Sequence, residues 1–268
     1  MIGVMQGRLT PSINGQIQAF PERFWEAEFF LARSLGVDLI EWTLDFKGII
    51  KNPLIAKCER VKLIQKISGV RSISVTYDAA MQAPLIENRE IKKYELDIFR
   101  KVILACKRAG LQYIVFPLVD GSSVTSDNYG TYVDFFRFVS KELLNAELSI
   151  AIESDFDPTM LKEFIEDIGR PDIGVNYDTG NSASLGYSFY DEMKAYGKHI
   201  LNIHIKDRVY KGETVEFGQG DAPLSRQINY FQSELSEVNL IIQGARSKTG
   251  NDIGIIEQYL RFLRENLQ

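Results

Sequence analysis

The chain has 268 residues, of which 45% are hydrophobic and 25% charged, a composition typical of a globular protein with a large core. Its 31 Lys and Arg residues face 36 Asp and Glu residues, and the net charge of -5 offers no basic field for a nucleic acid backbone. The N-terminal segment lacks the basic and apolar regions of a signal peptide, and no apolar run approaches the ~18 residues of a membrane span. We therefore expect a soluble, cytoplasmic protein without nucleic acid or membrane partners.

The β-rich runs of the chain alternate with helical patterns. The first predicted strand covers residues 3–9. Helical patterns then end at Gly36, Gly69 and Gly110, and glycine suits the left-handed residue that closes a helix before the next strand begins. The remaining predicted strands cover residues 37–42, 70–75, 111–116, 148–153, 173–178, 200–205 and 238–243.

Apolar residues between these strands recur with helical spacing. They step by three or four positions in two clear cases, namely Leu96, Phe99, Ile103 and Cys106, and Ile253, Ile256, Leu260 and Leu263. Eight strand-helix units in about 250 residues predict a single-domain (β/α)8 TIM barrel over residues 1–268. An open doubly wound sheet is the alternative, but no Gly-x-Gly-x-x-Gly motif follows the first strand.

Several residues are predicted to have structural roles only. Cys58 and Cys106 lie in amphipathic helical patterns without metal spacing, and we expect buried thiols. Trp25 and Trp42 are expected to pack between helices and sheet. His199 precedes the seventh strand and is expected at the bottom of the barrel, as a surface or capping residue.

Polar residues at the ends of four consecutive strands are predicted to point into the barrel, where such enzymes carry their active sites. In strand seven, the isoleucines at 203 and 205 face the helices, which turns His204, Lys206 and Arg208 inward. The same alternation directs Glu153 and Asp178 inward. Gln243 falls at the end of strand eight.

These converging donors allow two interpretations. A hydrogen-bonded polar layer could close the barrel. Alternatively, Glu153, Asp178, His204 and Gln243 could bind a divalent metal, because buried carboxylates are costly unless they are paired or bound to a cation. An oxygen-rich set with one imidazole suits Mn²⁺, Mg²⁺, Co²⁺ or Zn²⁺. We favour the metal site because of the convergence.

A family resemblance rests on several motifs that span nearly the whole chain. Asp-Thr-Gly-Asn at 178–181, His-Ile-Lys-Asp-Arg at 204–208 and the upstream Glu153 resemble the xylose isomerase-like barrels. Gly-Arg-Leu at 7–9 and Gly-Gln-Gly-Asp at 218–221 add to this similarity. The family includes isomerases and epimerases of sugars and sugar phosphates, so the resemblance implies a small sugar or sugar-phosphate substrate.

The resemblance also implies a site for one divalent metal ion. In the ketose 3-epimerases of the family, Glu, Asp, His and Glu hold the metal, and they correspond here to Glu153, Asp178, His204 and Gln243. The last residue departs from the pattern. Two glutamates exchange the proton in those epimerases, and an amide cannot accept a proton near neutral pH.

This departure leaves the reaction open between several alternatives. Glu153 is expected to move a proton on carbon through an enediolate-like intermediate, with Lys206, Asp78 or Glu41 as the second acid-base residue. A reaction that needs one base, such as isomerisation or the loss of water from an inosose or dehydroshikimate type substrate, is the alternative. A catalytically silent sugar-binding barrel is a further one. We expect a metal-dependent isomerase or epimerase, with homo-oligomers possible in principle.

Residues near the same end of the barrel are predicted to bind the substrate. They are Arg8, Glu41, Asn181, Arg208 and Arg246. Arg246 precedes the last helix, where barrels often hold a phosphate or carboxylate. The connections at 10–20 and 121–126 are long, which makes them candidate lids.

Overall fold

The structure is a computed structural model that describes residues 1–267, so the last residue of the predicted domain lies outside the described part. Eight parallel strands form one closed barrel in chain order, and strand one pairs with strand eight to complete it. The predicted single-domain (β/α)8 barrel is confirmed. The strands are Ile2–Met5, Leu39–Thr43, Ser74–Thr76, Tyr113–Leu118, Ser149–Ser154, Ile173–Asp178, Ile200–Ile205 and Asn239–Ile242.

Helices alternate with the strands and surround the barrel. They are Trp25–Ser34, Pro53–Ala56, Cys58–Ser68, Ala79–Gln82, Lys93–Ala109, Tyr129–Ala146, Pro158–Ile168, Thr179–Leu185, Phe189–Tyr196, Leu224–Glu234 and Asp252–Asn266. Two short antiparallel pairs, Ile86–Glu87 with Glu90–Ile91 and Asp207–Arg208 with Thr214–Val215, lie outside the barrel. Within residues 1–267, no helix is both long and apolar enough to cross a membrane.

Strand boundaries agree with the sequence pattern best in the second half of the chain. Strands six and seven have the predicted bounds. Strand one ends four residues early, because Gly7 adopts a φ of 90° and the chain turns there. The helix-closing role of Gly36, Gly69 and Gly110 is confirmed, since all three have positive φ values.

Two apolar layers hold the barrel together. The larger one lies between helices and strands and includes Trp25 and Trp42, as predicted, with ring centroids 5.5 Å apart. Cys58 and Cys106 are buried free thiols in this layer. A small second cluster fills the lower interior of the barrel and consists of Met5, Leu39, Ile73 and Ile241.

The barrel interior becomes polar toward the carboxyl ends of the strands. Leu39 is followed on the inward face of its strand by Glu41, and Ile241 is followed by Gln243. The buried polar residues of this level include Glu41, Ser74, Thr76, Asn176, Asn202 and His204. Buried polar groups require hydrogen-bond partners, so the contacts within this level determine how each side chain points.

Candidate metal centre and substrate cavity

Three donors meet where strands five, six and seven lie side by side. Glu153 is near the end of strand five, Asp178 ends strand six, and His204 lies opposite Asp178 in strand seven. Nδ1 of His204 is 3.3 Å from Oε2 of Glu153 and 3.9 Å from Oδ2 of Asp178. All three residues are buried, and they offer ligand atoms within 4.8 Å of one another.

A second set of contacts fixes the imidazole from behind. Nε2 of His204 lies 2.6 Å from Oε1 of Glu41, which is fully buried. Glu41 also accepts hydrogen bonds from Ser74, Thr76 and Asn202 at 2.7, 2.8 and 2.9 Å. A carboxylate at Nε2 favours a hydrogen on that nitrogen, so in the neutral imidazole the lone pair lies on Nδ1, on the side of Glu153 and Asp178.

The oxygens of Asp178 have separate tasks. Oδ1 accepts from the backbone N–H groups of Gly180 and Asn181, both at 2.9 Å, and thereby caps helix Thr179–Leu185. Oδ2 is buried and has no hydrogen-bond partner, although the ammonium of Lys206 lies 2.6 Å away. Lys206 and Asp178 therefore form an ion pair whose geometry does not satisfy the criteria of a hydrogen bond. Oδ2 of Asp178 and Nδ1 of His204, which Asn176 also contacts at 3.1 Å, are atoms of the types that bind divalent metals.

The surrounding carboxylates stabilise a positive charge on His204. Burial alone would lower the pKa of His204, but Glu41 and Glu153 raise it to about 10. Burial alone would raise the pKa of Glu153, but its hydrogen bond to His204 and the charges of His204 and Lys206 bring that pKa below its ordinary value. A bound metal would have to replace the proton of the imidazole.

Gln243 lies beside these donors, but its amide already has partners. Its Oε1 accepts a hydrogen bond from Nζ of Lys206 at 3.0 Å, and its Nε2 donates to Oε1 of Gln18 at 3.1 Å. Gln18 in turn donates to Oδ2 of Asp78 at 2.7 Å. The predicted fourth ligand therefore faces a lysine in this structure.

A cavity of about 480 Å³ lies beside the donors and is lined by one of them, Glu153. Arg8, Glu153, Lys206, Arg208 and Gln243 are among its lining residues, and so are several other acidic and apolar side chains. A pocket of this size at the carboxyl end of a barrel is the expected place for a small ligand.

Asn181 and Arg208 line the cavity and support Glu153. Nδ2 of Asn181 donates to Oε1 of Glu153 at 2.7 Å, and Nη1 of Arg208 donates to Oδ1 of Asn181 at 2.9 Å. The guanidinium also donates to the carbonyl oxygen of Gly212. Both predicted substrate-binding residues are therefore at the cavity, and Asn181 orients the carboxylate.

Arg8 is a buried cavity residue on the opposite side of the barrel. Its guanidinium donates to the backbone carbonyl of Ile17, whereas its Nε has no partner. Burial, together with the charge of Arg246, lowers the pKa of Arg8 to about 10. Because Arg8 lines the cavity, its guanidinium is the group on this side that suits an oxygen of a ligand.

Two of the predicted substrate-binding residues do not line this cavity. Glu41 lies behind His204, not on the cavity wall, because its four partners hold it inside the barrel. Arg246 also lies outside the cavity lining, because its guanidinium donates to the carbonyls of Thr10 and Ile17 at 3.0 Å and to Asp252 at 2.7 Å. Through these hydrogen bonds, Arg246 fixes the backbone of the segment after strand one.

The two candidate lids contribute to the cavity in different ways. Residues 10–20 contain no helix or strand, and Ile17 and Gln18 line the cavity. The other predicted lid overlaps a short 3-10 helix, Asp120–Ser122, of which Asp120 lines the cavity. His199 lies at the opposite end of the barrel, before strand seven, as predicted.

Sequence reasoning missed Gln18 and Glu28. Gln18 belongs to an irregular segment without periodicity, so no pattern indicated its direction. Glu28 is fully buried, and its Oε1 accepts from the N–H groups of Gly7 and Leu9 at 2.7 and 3.1 Å. A signal was available here, because Glu28 shares the spacing of the buried residues Trp25, Phe29 and Ala32 on its helix.

Residues 29–265 match the family model of the xylose isomerase-like TIM barrel, which covers most of the chain. The chain belongs to this family. The resemblance deduced from the sequence motifs is therefore confirmed. No curated protein matches the chain by sequence.

Solved structures of this barrel type align with almost the full length of this chain. An L-ribulose 3-epimerase has a TM-score of 0.77 at 14% identity, covering 99% of this chain and 94% of that chain. A D-psicose 3-epimerase studied with D-fructose has a TM-score of 0.74 at 14% identity, covering 99% of both chains. The IolI protein with a binding zinc atom has a TM-score of 0.74 at 16% identity, covering 99% and 97%. At these identities the similarity concerns the fold.

Proposed function

We propose that the protein is a metal-dependent isomerase or epimerase of a small sugar or sugar phosphate. The observation that carries this proposal is the convergence of Glu153, Asp178 and His204 beside a cavity of about 480 Å³, which Glu153 lines. Solved structures of the same fold include sugar epimerases and a zinc-containing protein, which supports the same class of substrate and cofactor.

Glu153, Asp178 and His204 would hold one divalent ion, with Mn²⁺, Mg²⁺, Co²⁺ and Zn²⁺ all compatible with two carboxylates and an imidazole. When bound, such an ion polarises a carbonyl group and stabilises negative charge on its oxygen. Glu41 orients His204 for this task through the 2.6 Å contact at Nε2.

Glu153 is the base of the proposed reaction. Its lowered pKa keeps the carboxylate ionised at neutral pH, and hydrogen bonds from Asn176 and Asn181 at 2.9 and 2.7 Å fix its orientation. In this position Glu153 removes a proton from the carbon next to the substrate's carbonyl group, which leaves an enediolate-like intermediate.

Lys206 is the proposed second acid-base residue. Gln243 stands where the related epimerases carry a second glutamate, and its amide cannot take up the proton. The ammonium of Lys206 lies 3.0 Å from Oε1 of Gln243 and lines the same cavity, so it can donate a proton on that side of the substrate. Arg8, Asn181 and Arg208 are proposed to contact the hydroxyl or phosphate groups.

The amide at position 243 also favours a second candidate. With one carboxylate base at the cavity floor, Glu153 could remove a proton and the hydroxyl on the next carbon could leave as water with a proton from Lys206. A keto-polyol dehydratase would therefore use the same residues. Its conjugated product absorbs ultraviolet light, whereas an isomerase or epimerase generates no such signal.

The test measures exchange of substrate hydrogen with deuterated water across free ketoses, aldoses and their phosphates, with each metal added in turn. The wild type should contain close to one metal per chain and should exchange hydrogen with at least one compound. Glu153→Gln should lose the exchange by a factor of roughly 100 to 10,000.

Asp155→Asn is the matched control, because Asp155 lines the cavity and accepts a hydrogen bond from Ser123 at 2.7 Å without contacting the donors. A folded Glu153→Gln variant with wild-type exchange would contradict the role of Glu153. Sugar binding without exchange, ultraviolet signal or metal would favour the silent binding barrel instead.

A further inference from the structure

Lys206 occupies the side of the candidate metal centre that faces Gln243. Its Nζ lies 2.6 Å from Oδ2 of Asp178 and 3.0 Å from Oε1 of Gln243. Two of the four predicted metal ligands therefore contact one ammonium group. The side chain of Lys206 is only 12% exposed and that of Asp178 only 1%, so little water screens this ion pair.

The lysine is held firmly at its base. Its backbone N–H donates to Oγ1 of Thr179 at 2.8 Å, and its stem packs against Gly180. A Cβ atom at Gly180 would lie 2.8 Å from Cγ of Lys206, which shows how closely the stem passes the helix start. Only the end of the side chain is free to move, and that end carries the charge.

The oxygen that Lys206 contacts is the same one that a metal would need. Oδ1 of Asp178 caps the following helix, so Oδ2 remains the free donor, 3.9 Å from Nδ1 of His204. A divalent ion and an ammonium group cannot both approach one carboxylate oxygen without mutual repulsion. Gln243 adds no negative charge that would reduce this repulsion.

We infer that Lys206 is a built-in cation that competes with the divalent metal for Asp178 and thereby sets the metal affinity of the site. This inference rests on the proposed function. With an ion on Asp178, the ammonium would keep its hydrogen bond to Oε1 of Gln243, and Lys206 would stay at the cavity wall, where it can act on the substrate.

The experiment compares metal affinities after chelator treatment, by calorimetric titration of the full chain with Mn²⁺ and with Zn²⁺. Lys206→Met keeps the apolar stem and removes the competing charge, and it should bind metal at least about tenfold more tightly than the wild type. Lys206→Arg retains a charge beside Asp178 and should remain close to the wild-type affinity. Lys206→Gln serves as a second neutral variant if the methionine variant does not fold.

The matched control is Lys211→Met. Lys211 lies in the hairpin that follows Lys206 and contacts the ring of Tyr210, 5.0 Å from its centroid, so its removal should leave the affinity unchanged. Thermal melts give an independent measurement. Without metal, Lys206→Met should melt below the wild type because Asp178 has lost its partner, and added Mn²⁺ should raise its melting temperature by more than that of the wild type.

The outcomes separate this inference from the proposed function. Metal binding by both proteins, with equal or weaker affinity in folded Lys206→Met, would overturn the competition and leave the proposed function in place. Metal binding by neither protein would remove the metal from the proposed function and the competition with it. Tighter binding in the neutral variants alone supports the inference.

Discussion

The two sides of the cavity are constructed differently. On one side, Glu153, Asp178 and His204 come from three adjacent strands, and their positions follow from strand pairing. On the other side, the wall is the irregular segment after strand one, whose backbone is held by hydrogen bonds with the half-buried Arg246 and the buried Glu28. The donor side is therefore rigid, whereas the conformation of the other wall depends on hydrogen bonds from a few long side chains.

This difference assigns separate tasks to the two sides. Groups that move protons or hold a metal require fixed distances, and strands provide them. A wall made of an irregular segment can change between related chains without disturbing the donors, and such a wall suits substrate selection. Substitutions on one side should therefore leave the structure of the other side largely intact.

The largest effect is expected from Glu41→Ala on the donor side. The substitution leaves His204, Ser74, Thr76 and Asn202 without their common acceptor inside the barrel. Removing one partner of a buried charged pair costs about 3–5 kcal/mol, which lowers the melting temperature by roughly 10 °C. Metal affinity should also fall by about 10- to 100-fold, because the imidazole loses its orientation.

Thermal melts and metal titration measure both effects. Glu59→Ala is the control, since the Glu59 side chain is 87% exposed and its removal should change neither quantity. A Glu41→Ala protein with wild-type stability would contradict the central role assigned to Glu41 in the rigid side.

The same contrast explains which parts of the molecule could be predicted from the sequence. Alternation of apolar and polar residues directed Glu153, Asp178 and His204 inward, because each strand has a buried outer face. Glu41 was predicted at the correct end of its strand, but its contact with His204 depends on the closed barrel and is not visible in one strand. The contacts of Arg246 could not be predicted, because a guanidinium near a helix start can bind a phosphate or, as in this structure, backbone carbonyls and an aspartate.

The buried carboxyl group of Glu28 should make the free energy of unfolding depend on pH. Burial raises the pKa of Glu28 from 4.5 to about 8 in the folded chain. Below the lower value both folded and unfolded chains hold the proton, and between the two values only the folded chain holds it. The contribution of Glu28 to the free energy of unfolding should therefore fall by a few kcal/mol as the pH rises from about 4.5 to about 8, and then level off.

Glu28→Gln tests this pH dependence, because the amide oxygen can still accept from Gly7 and Leu9. Its stability should depend less on pH in this range, although a dependence of the same sign should persist from Asp78 and His204, whose pKa values are raised to about 7 and about 10. Denaturant unfolding at several pH values measures the slope, and the exposed Glu22→Gln is the control. An unchanged slope in Glu28→Gln would exclude Glu28 as its source.

A smaller effect is expected from Arg246→Met. The substitution removes donors from the carbonyls of Thr10 and Ile17 and leaves Asp252 without its ion pair. We expect a loss of about 1–3 kcal/mol and faster hydrogen exchange in residues 7–20. Mn²⁺ affinity should not change, in contrast to Glu41→Ala. A clear loss of metal affinity would show that the two sides are coupled.

The smallest effect is expected from Gln18→Ala, and it examines the point where the two sides meet. Gln18 accepts a hydrogen bond from Gln243 and donates one to Asp78, so it links the irregular segment to the end of strand eight. Its loss should cost about 1 kcal/mol, because water in the open cavity can replace both partners. Thermal melts should register this as a shift of roughly 2–4 °C.

Calorimetry should find the metal affinity unchanged, since Gln243 keeps its contact with Lys206. A tighter metal site in this variant would instead mean that Gln18 holds Gln243, and through it Lys206, against Asp178, and the wall would then regulate the donors.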